Sequence, residues 1–147
     1  MKNKIIYIAP SESSFVKNDV TMLSKHFPVI TNFYDWSNKI LTPFFMVGQF
    51  FFVLRHFYVT KTIFISFGGY WSFVPTIMGK LFGINVFIIL NGTDSASIPK
   101  INYGSLRKFP LNWFCKQSYR FATKLLPVSE SLILTKNKYF FFFFSIT

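Results

Sequence analysis

The stretch T-I-F-I-S-F-G-G-Y-W-S-F-V-P-T-I-M-G-K-L-F-G-I-N-V-F-I-I-L-N-G-T-D, residues 62–94, decides how the rest of the chain is read. Its two apolar runs, 63–67 and 86–90, are nearly unbroken Ile, Val, Phe and Leu, as in strands buried on both faces of a parallel sheet. Between them Gly68-Gly69 breaks the first run, Ser72 is placed to cap a helix, and Gly83 ends it. Pro75 then falls in the first turn, where a missing N–H costs little. The spacing predicts one strand–helix–strand crossover. The second strand leads into Asn91-Gly92-Thr93-Asp94, a polar turn at the carboxyl edge, where open α/β sheets bind ligands.

The same alternation extends in both directions. Residues 5–9 predict a first buried strand, stopped by Pro10. Ser13 or Ser14 caps the next helix, which carries Val16, Val20, Leu23 and Phe27 on one face, and Asp19 near its start suits the helix dipole. Residues 28–33 predict a short strand, followed by the loop Tyr34-Asp35-Trp36-Ser37. Thr42-Pro43 has the cap-then-proline form of a helix start, and the helix over 42–58 is apolar on all sides. Downstream, 93–108 form a polar loop, long for a compact domain and hence a functional candidate. Pro110 opens a helix with Leu111, Phe114, Cys115, Ser118 and Ala122 on one face. Residues 125–128 predict a fifth strand, and Ser129 caps a final helix. The expected class is α/β, a Rossmann-like doubly wound parallel sheet with helices on both faces.

Composition bounds the function. The 147 residues suffice for one domain and hardly two. At 51% hydrophobic and 22% aromatic, the chain is not a disordered linker. The net charge of +11 comes from bases scattered singly from Lys2 to Lys138. Scattered bases suit a solvated surface first, and attraction to anionic lipid or phosphate second. No aromatic–basic RNA signature or recognition helix is present, so nucleic acid is not an expected partner. A single cysteine, Cys115, excludes disulfides within the chain and thiolate zinc sites, and reads as a small buried hydrophobe. His26 and His56 lie far apart without metal-like partners, so neither a metal nor a cofactor is expected. The apolar run 5–9 is shorter than a secretory core. Residues 40–54 include Thr42, Gly48 and Gln49 and fall short of the roughly 20 residues of a membrane span. A buried or membrane-surface helix is expected there, in a cytoplasmic protein that could lie at the inner face of the membrane.

The acids follow a pattern. Glu12, Asp35, Asp94 and Glu130 each come just after a predicted strand, which in a parallel sheet gathers them at the ligand-binding edge. The preference of Asp for turns also accounts for each one singly. Neither a Walker loop nor G-x-G-x-x-G is present, and a tight turn is enough to explain Gly68-Gly69. Ser11-Glu12-Ser13-Ser14 places hydroxyls and backbone N–H groups at a helix start, which suits an anion or a sugar hydroxyl and equally a plain cap. No Ser-His-Asp set or carboxylate pair stands out, so no catalytic residue is named.

Four segments carry a resemblance: F-V-K-N-D-V-T-M-L-S-K-H-F-P-V from Phe15, residues 64–80, I-L-N-G-T-D-S-A-S-I-P-K-I-N-Y-G from Ile89, and A-T-K-L-L-P-V-S-E-S-L from Ala122. Together they resemble the N-terminal half of a family 4 glycosyltransferase. The I-P-K-I-N-Y-G loop and V-S-E-S-L are the most specific pieces. The resemblance implies the GT-B fold, two Rossmann-like domains across a cleft, in which the N-terminal domain mainly binds the acceptor. It also implies metal-free, retaining transfer from a nucleotide-sugar donor to a glycan or lipid-linked acceptor. Ser13, Ser14, Gly68, Gly69, Tyr70, Asn91 and Asp94 become the acceptor-binding candidates, and Glu12, Ser129 and Glu130 the residues facing the interdomain cleft. The chain departs from the family in its first loop, where many relatives have glycines, and at Asn91, where they often have the first glycine of G-G-x-D.

The resemblance assigns residues 1–135 to an incomplete N-terminal domain. Residues 136–147, with five consecutive Phe at 140–144, read as an aberrant tail, as from a reading frame lost in a homopolymeric stretch. The expectation is a truncated enzyme, inactive alone, that meets its nucleotide-sugar donor only when the missing domain is supplied. Its bare fifth strand and Phe-rich tail are expected to aggregate. The competing class is a noncatalytic basic module bound to an anionic membrane surface.

Overall fold

The computed structural model describes residues 3–91 and 109–128. Each apolar run expected as a strand in those residues is one. The order is β1 (Lys4–Ala9), α1 (Ser14–Ser24), β2 (Val29–Phe33), α2 (Thr42–His56), β3 (Thr60–Ser66), α3 (Tyr70–Phe82), β4 (Asn85–Leu90), α4 (Leu111–Phe121) and β5 (Lys124–Pro127). The long polar loop, the helix expected after Ser129 and the Phe-rich tail lie outside the described residues.

The strands form a single parallel sheet in the order β2-β1-β3-β4-β5. Ala9 pairs with Phe33, Ile8 with Ile65, Ser66 with Ile89, and Leu90 with Pro127, so all five carboxyl ends share one edge. The chain moves one way from β1 to β2 and the other way from β2 through β5. Right-handed crossovers therefore put α1 on one face and α2, α3 and α4 on the other. The core divides accordingly. Ile6, Ile8, Ile63, Ile65, Val86 and Ile88 pack with Val53, Met78 and Cys115, whereas Tyr7 and Ala9 pack with Val16 beneath α1. Alternate residues of β1 are thus buried on opposite faces, which explains its lack of polar alternation. Cys115 is fully buried, as expected of a small hydrophobe.

Two helix starts and the role of one acid differ from the sequence reading. First, α3 begins at Tyr70 behind Gly69, three residues before the start implied by Ser72 as the cap. Ser72 instead reaches back from the third helical position, its Oγ accepting the Gly69 N–H at 3.1 Å, as one half of a capping box. Pro75 consequently sits inside the helix rather than in its first turn, and it cannot donate to the Trp71 carbonyl four residues back. Gln49, fully buried on α2, donates its Nε2 to that carbonyl at 3.1 Å, with Asn32 Oδ1 a longer 3.4 Å away.

Second, α2 has Leu41 at its cap position, and Thr42 lies inside with a buried, unbonded hydroxyl. The chain enters through a turn in which Asn38 Oδ1 accepts the Ile40 N–H at 3.0 Å, so Thr42 is not needed as a cap. Third, Asp19 lies beyond the first turn of α1. Its carboxylate accepts the hydroxyl of buried Tyr7 at 2.8 Å, and this contact rather than the dipole accounts for it.

The uniformly apolar character of α2 separates into two faces. Gln49 and Val53 point into the protein, whereas Phe44, Val47 and Phe51 are exposed. Among the described residues no helix is long and apolar enough to cross a membrane.

Candidate functional site

The strand order reverses between β1 and β3, and the crevice above such a switch point is the favoured ligand position in open α/β sheets. The loops leaving these two strands are the ones the sequence singled out, Ser11 to Ser14 and Phe67 to Tyr70. They meet directly: the rings of Phe15 and Phe67 pack edge-on with centroids 5.4 Å apart. Phe67 holds the turn in a left-handed conformation (φ 66°), which costs a non-glycine residue about 1–2 kcal/mol. The turn is pinned on both sides. The Phe67 N–H donates to the Ile89 carbonyl at 3.0 Å, and Trp71 Nε1 lies 3.1 Å from the carbonyls of both Ser66 and Phe67.

Gly68 and Gly69 are required for space rather than for backbone freedom. A Cβ on Gly68 would overlap the Tyr119 side chain, and one on Gly69 would lie 2.5 Å from the Trp71 ring. Both glycines are buried, so they shape the crevice without forming its surface. Ser72 reinforces this corner by donating to Ser118 Oγ of α4 at 2.8 Å.

Ser13 occupies the N-cap position of α1 without making the side-chain cap bond, and its Oγ is buried with no hydrogen-bond partner. Ser14 beside it is exposed. Glu12 forms an exposed ion pair with Lys17 at 3.8 Å, a contact that solvent weakens greatly. Half-buried Tyr70 packs against Phe114 at 5.2 Å. Burial first, and the Cys115 thiol second, raise its hydroxyl pKa above the ordinary value. Asn91 follows β4 at the same edge and is partly buried. Asp94, Ser129 and Glu130 lie outside the described residues.

Asp35 also lies at this edge, after β2. Its Oδ1 accepts the Ser37 N–H at 3.0 Å. The Ser37 hydroxyl, and then that backbone bond, hold the carboxyl pKa below the usual value. The turn alone accounts for this acid.

The loop around Asp35 contributes an aromatic wall that sequence reasoning missed. Tyr34 stacks on Phe45 at 5.1 Å, and Trp36 lies 5.5 Å from Phe45 and 6.2 Å from Trp71. Phe15, Phe67 and Tyr119 were likewise missed, because aromatic residues are so frequent here that none stands out by type. No group of three metal-ligating side chains occurs among the described residues. A cavity of about 180 Å³ lies away from this edge, against the first halves of β1, β3 and β4, among Ile5, Leu23, Phe27, Phe64 and Phe87. Its nearly apolar lining makes it a packing gap beside α1.

The edge therefore offers hydroxyls, two helix N-termini and aromatic rings. The loops 10–15 and 67–70 contain neither Lys nor Arg. Among the described residues, hydroxyls and rings of this kind suit hydroxyl-bearing groups.

No protein-family profile and no curated protein sequence matches the chain. Solved structures do. The S. aureus MnaA–UDP co-structure superposes with a TM-score of 0.62 at 9% identity, over 89% of this chain and 40% of the other. UDP-GlcNAc 2-epimerase from Methanocaldococcus jannaschii gives 0.57 at 9% identity, over 88% and 40%. The chain thus spans two fifths of the length of each neighbour, and the likeness is one of fold.

Proposed function

We propose that this chain is the acceptor-side domain of a nucleotide-sugar-dependent glycosyltransferase of the GT-B type, of the kind grouped in family 4. Its partner domain would hold the nucleotide-sugar donor. One observation carries the reading. At the switch point, the loops after β1 and β3 touch through Phe15 and Phe67 and leave the Ser13 hydroxyl unbonded, with no base among them to hold a diphosphate. A sugar acceptor matches this chemistry, since hydroxyls pair with hydroxyls and the apolar face of a pyranose lies against aromatic rings. Neither loop supplies the Arg or Lys that would pair with a diphosphate.

In this reading Ser13, Ser14, Tyr70 and Asn91 contact the acceptor, together with Asp94, while Gly68 and Gly69 give the crevice its depth. Glu12, Ser129 and Glu130 face the donor domain. No residue of this chain is assigned a catalytic role; the domain orients an acceptor hydroxyl toward a donor held opposite. The UDP in the co-structure supports sugar-nucleotide chemistry for this fold, and the resemblance in the sequence supports transfer to a glycan or lipid-linked acceptor, with retention and without a metal. Work on a lipid-linked acceptor would keep the protein at the inner face of a membrane.

The test is chemical-shift mapping on labelled protein, titrated separately with oligosaccharide acceptors and with UDP. Acceptors are expected to shift residues 13–15, 67–70 and 91, and UDP to leave them unmoved. Micromolar UDP binding at those residues would assign the edge to the donor instead and overturn the reading.

A further inference from the structure

Along α2 and the turns at its two ends, six apolar residues form two interleaved series. Ile40, Val47 and Leu54 follow one another seven residues apart, and so do Phe44, Phe51 and Tyr58. One series is aliphatic and the other aromatic. Each of the six is between 36% and 79% exposed. Thr42, Gln49 and Val53, the buried residues of the helix, lie on its opposite side. A row of alternating steps of four and three residues is the a/d seam by which one helix packs lengthwise on another. Contiguous exposure on this scale marks an interaction surface rather than scattered surface hydrophobes.

The two series decide the occupant. When two copies of this helix pack head to tail, each position of one series faces a position of the other. About a twofold axis level with residue 49, Ile40 meets Tyr58 of the second copy, Phe44 meets its Leu54, and Val47 meets its Phe51. Every ring then lies opposite a smaller aliphatic side chain, and facing layers of unlike size interdigitate well. Parallel packing would set ring against ring instead. The area also suffices. At roughly 150–250 Å² for a whole aromatic side chain, the exposed parts of Phe44, Phe50, Phe51 and Tyr58 offer about 400–600 Å² per copy. Ile40, Leu41, Val47 and Leu54 bring the seam to the roughly 800 Å² per partner of a standard stable interface. Charge favours the same direction. Asp35 and Lys39, both exposed, precede α2 and offset each other, while exposed Arg55 lies in its last turn. Head-to-tail packing keeps the two Arg55 apart and brings each toward the end that holds Asp35. The net charge of +11 on each chain opposes the pairing, but over a range of only about 8 Å at physiological salt.

We propose that the outer face of α2 is the twofold interface of a homodimer, in which two α2 helices pack antiparallel. The proposal goes beyond the acceptor-side reading and does not depend on it, because assembly is measured with no sugar present. Helix α2 joins two parallel strands and so runs back against them. The dimer therefore directs the carboxyl edges of its two sheets oppositely and leaves both crevices open.

The experiment is sedimentation equilibrium of the full chain over a range of protein and salt concentrations, with Val47→Lys and Phe51→Glu as variants. Both positions are exposed in the single domain, and unchanged circular dichroism and melting at dilution verify the variants' folds. The wild type is expected to pass from monomer to dimer, and the dimer to tighten as salt screens the two positive chains. Each variant alone is expected to dimerise on the order of a hundredfold more weakly, since a charge is then buried opposite an apolar side chain. Mixed in equal amounts, the two variants are expected to recover a one-to-one dimer, because the new ammonium and the new carboxylate face each other across the seam. A wild type that stays monomeric would overturn the proposal, also where it sediments with anionic vesicles, since the row would then belong to a lipid surface. So would a dimer or aggregate that Phe51→Glu leaves unchanged, or a mixture of the variants that stays monomeric.

Discussion

Gln49 and Pro75 form the most testable link between sequence and packing. Proline inside α3 removes the N–H that would bond the Trp71 carbonyl, and the Gln49 amide of the neighbouring helix takes its place at 3.1 Å. Gln49→Leu removes this donor and the weaker one to Asn32 Oδ1. Two acceptors in the interior then lack a partner, at about 1–3 kcal/mol for each well-buried group. The loss is partly offset because Gln49 Oε1, itself buried and unbonded, disappears too. A net destabilisation of about 2–3 kcal/mol is expected. In a Pro75→Ala background, residue 75 regains an N–H that reaches the Trp71 carbonyl within the helix. Gln49→Leu should then cost about 1–2 kcal/mol less. Pro75→Ala alone should be neutral to stabilising, since interior proline costs a helix about 3 kcal/mol relative to alanine and the lost ring contacts return part of that. Urea unfolding of the four proteins, followed by tryptophan fluorescence and circular dichroism, gives the coupling directly. If the two substitutions add to within about 0.5 kcal/mol, Gln49 does not serve the proline-orphaned carbonyl and the reasoning fails.

Further outcomes follow from the site and the core. Ser13→Ala should change stability by less than the roughly 1 kcal/mol of an ordinary N-cap replacement, since its Oγ makes no bond, yet it should weaken acceptor binding in titration. Gly68→Ala should destabilise by about 1–3 kcal/mol in urea, because the new methyl group meets buried Tyr119. The Tyr7 pKa is raised above its ordinary value of 10.0, first by burial and then by Asp19. The folded state therefore keeps a proton that the unfolded state releases, and this contribution, intact below pH 10, falls as pH rises above it. Tyr7→Phe should remove one proton from the slope of stability against pH in that range. Ser37→Ala should move the Asp35 carboxyl back toward its ordinary pKa, read by carboxyl NMR titration.

Local sequence pattern was enough to settle the class of fold. The runs around Ile63 to Ser66 and Val86 to Leu90 have no polar alternation, so only a sheet covered on both faces could bury them, and the glycines and prolines between runs marked where each element ends. Once the strands were parallel, the residues that follow them had to share one edge. That is why Ser13, Gly68 and Asn91 could be grouped before any coordinates. Tertiary structure alone decided what those residues do there. Gly68 and Gly69 suggested a tight turn, yet the left-handed residue is Phe67, and the glycines leave room for Tyr119, from a distant position in the chain, and for the ring of Trp71 just beyond the turn. Ser72, Thr42 and Asp19 carried local signals of capping and dipole. Each found a different role because α3 starts earlier, because a turn precedes α2, and because Tyr7 lies within reach. Helix α2 looked alike on every side in one dimension, and only packing separated the face that holds Gln49 from the face that holds Phe44 and Phe51. Local pattern fixes which elements form, since hydrophobic period and chain stiffness act over a few residues. Which partners each side chain meets depends on contacts between residues far apart in sequence, and no local pattern encodes those.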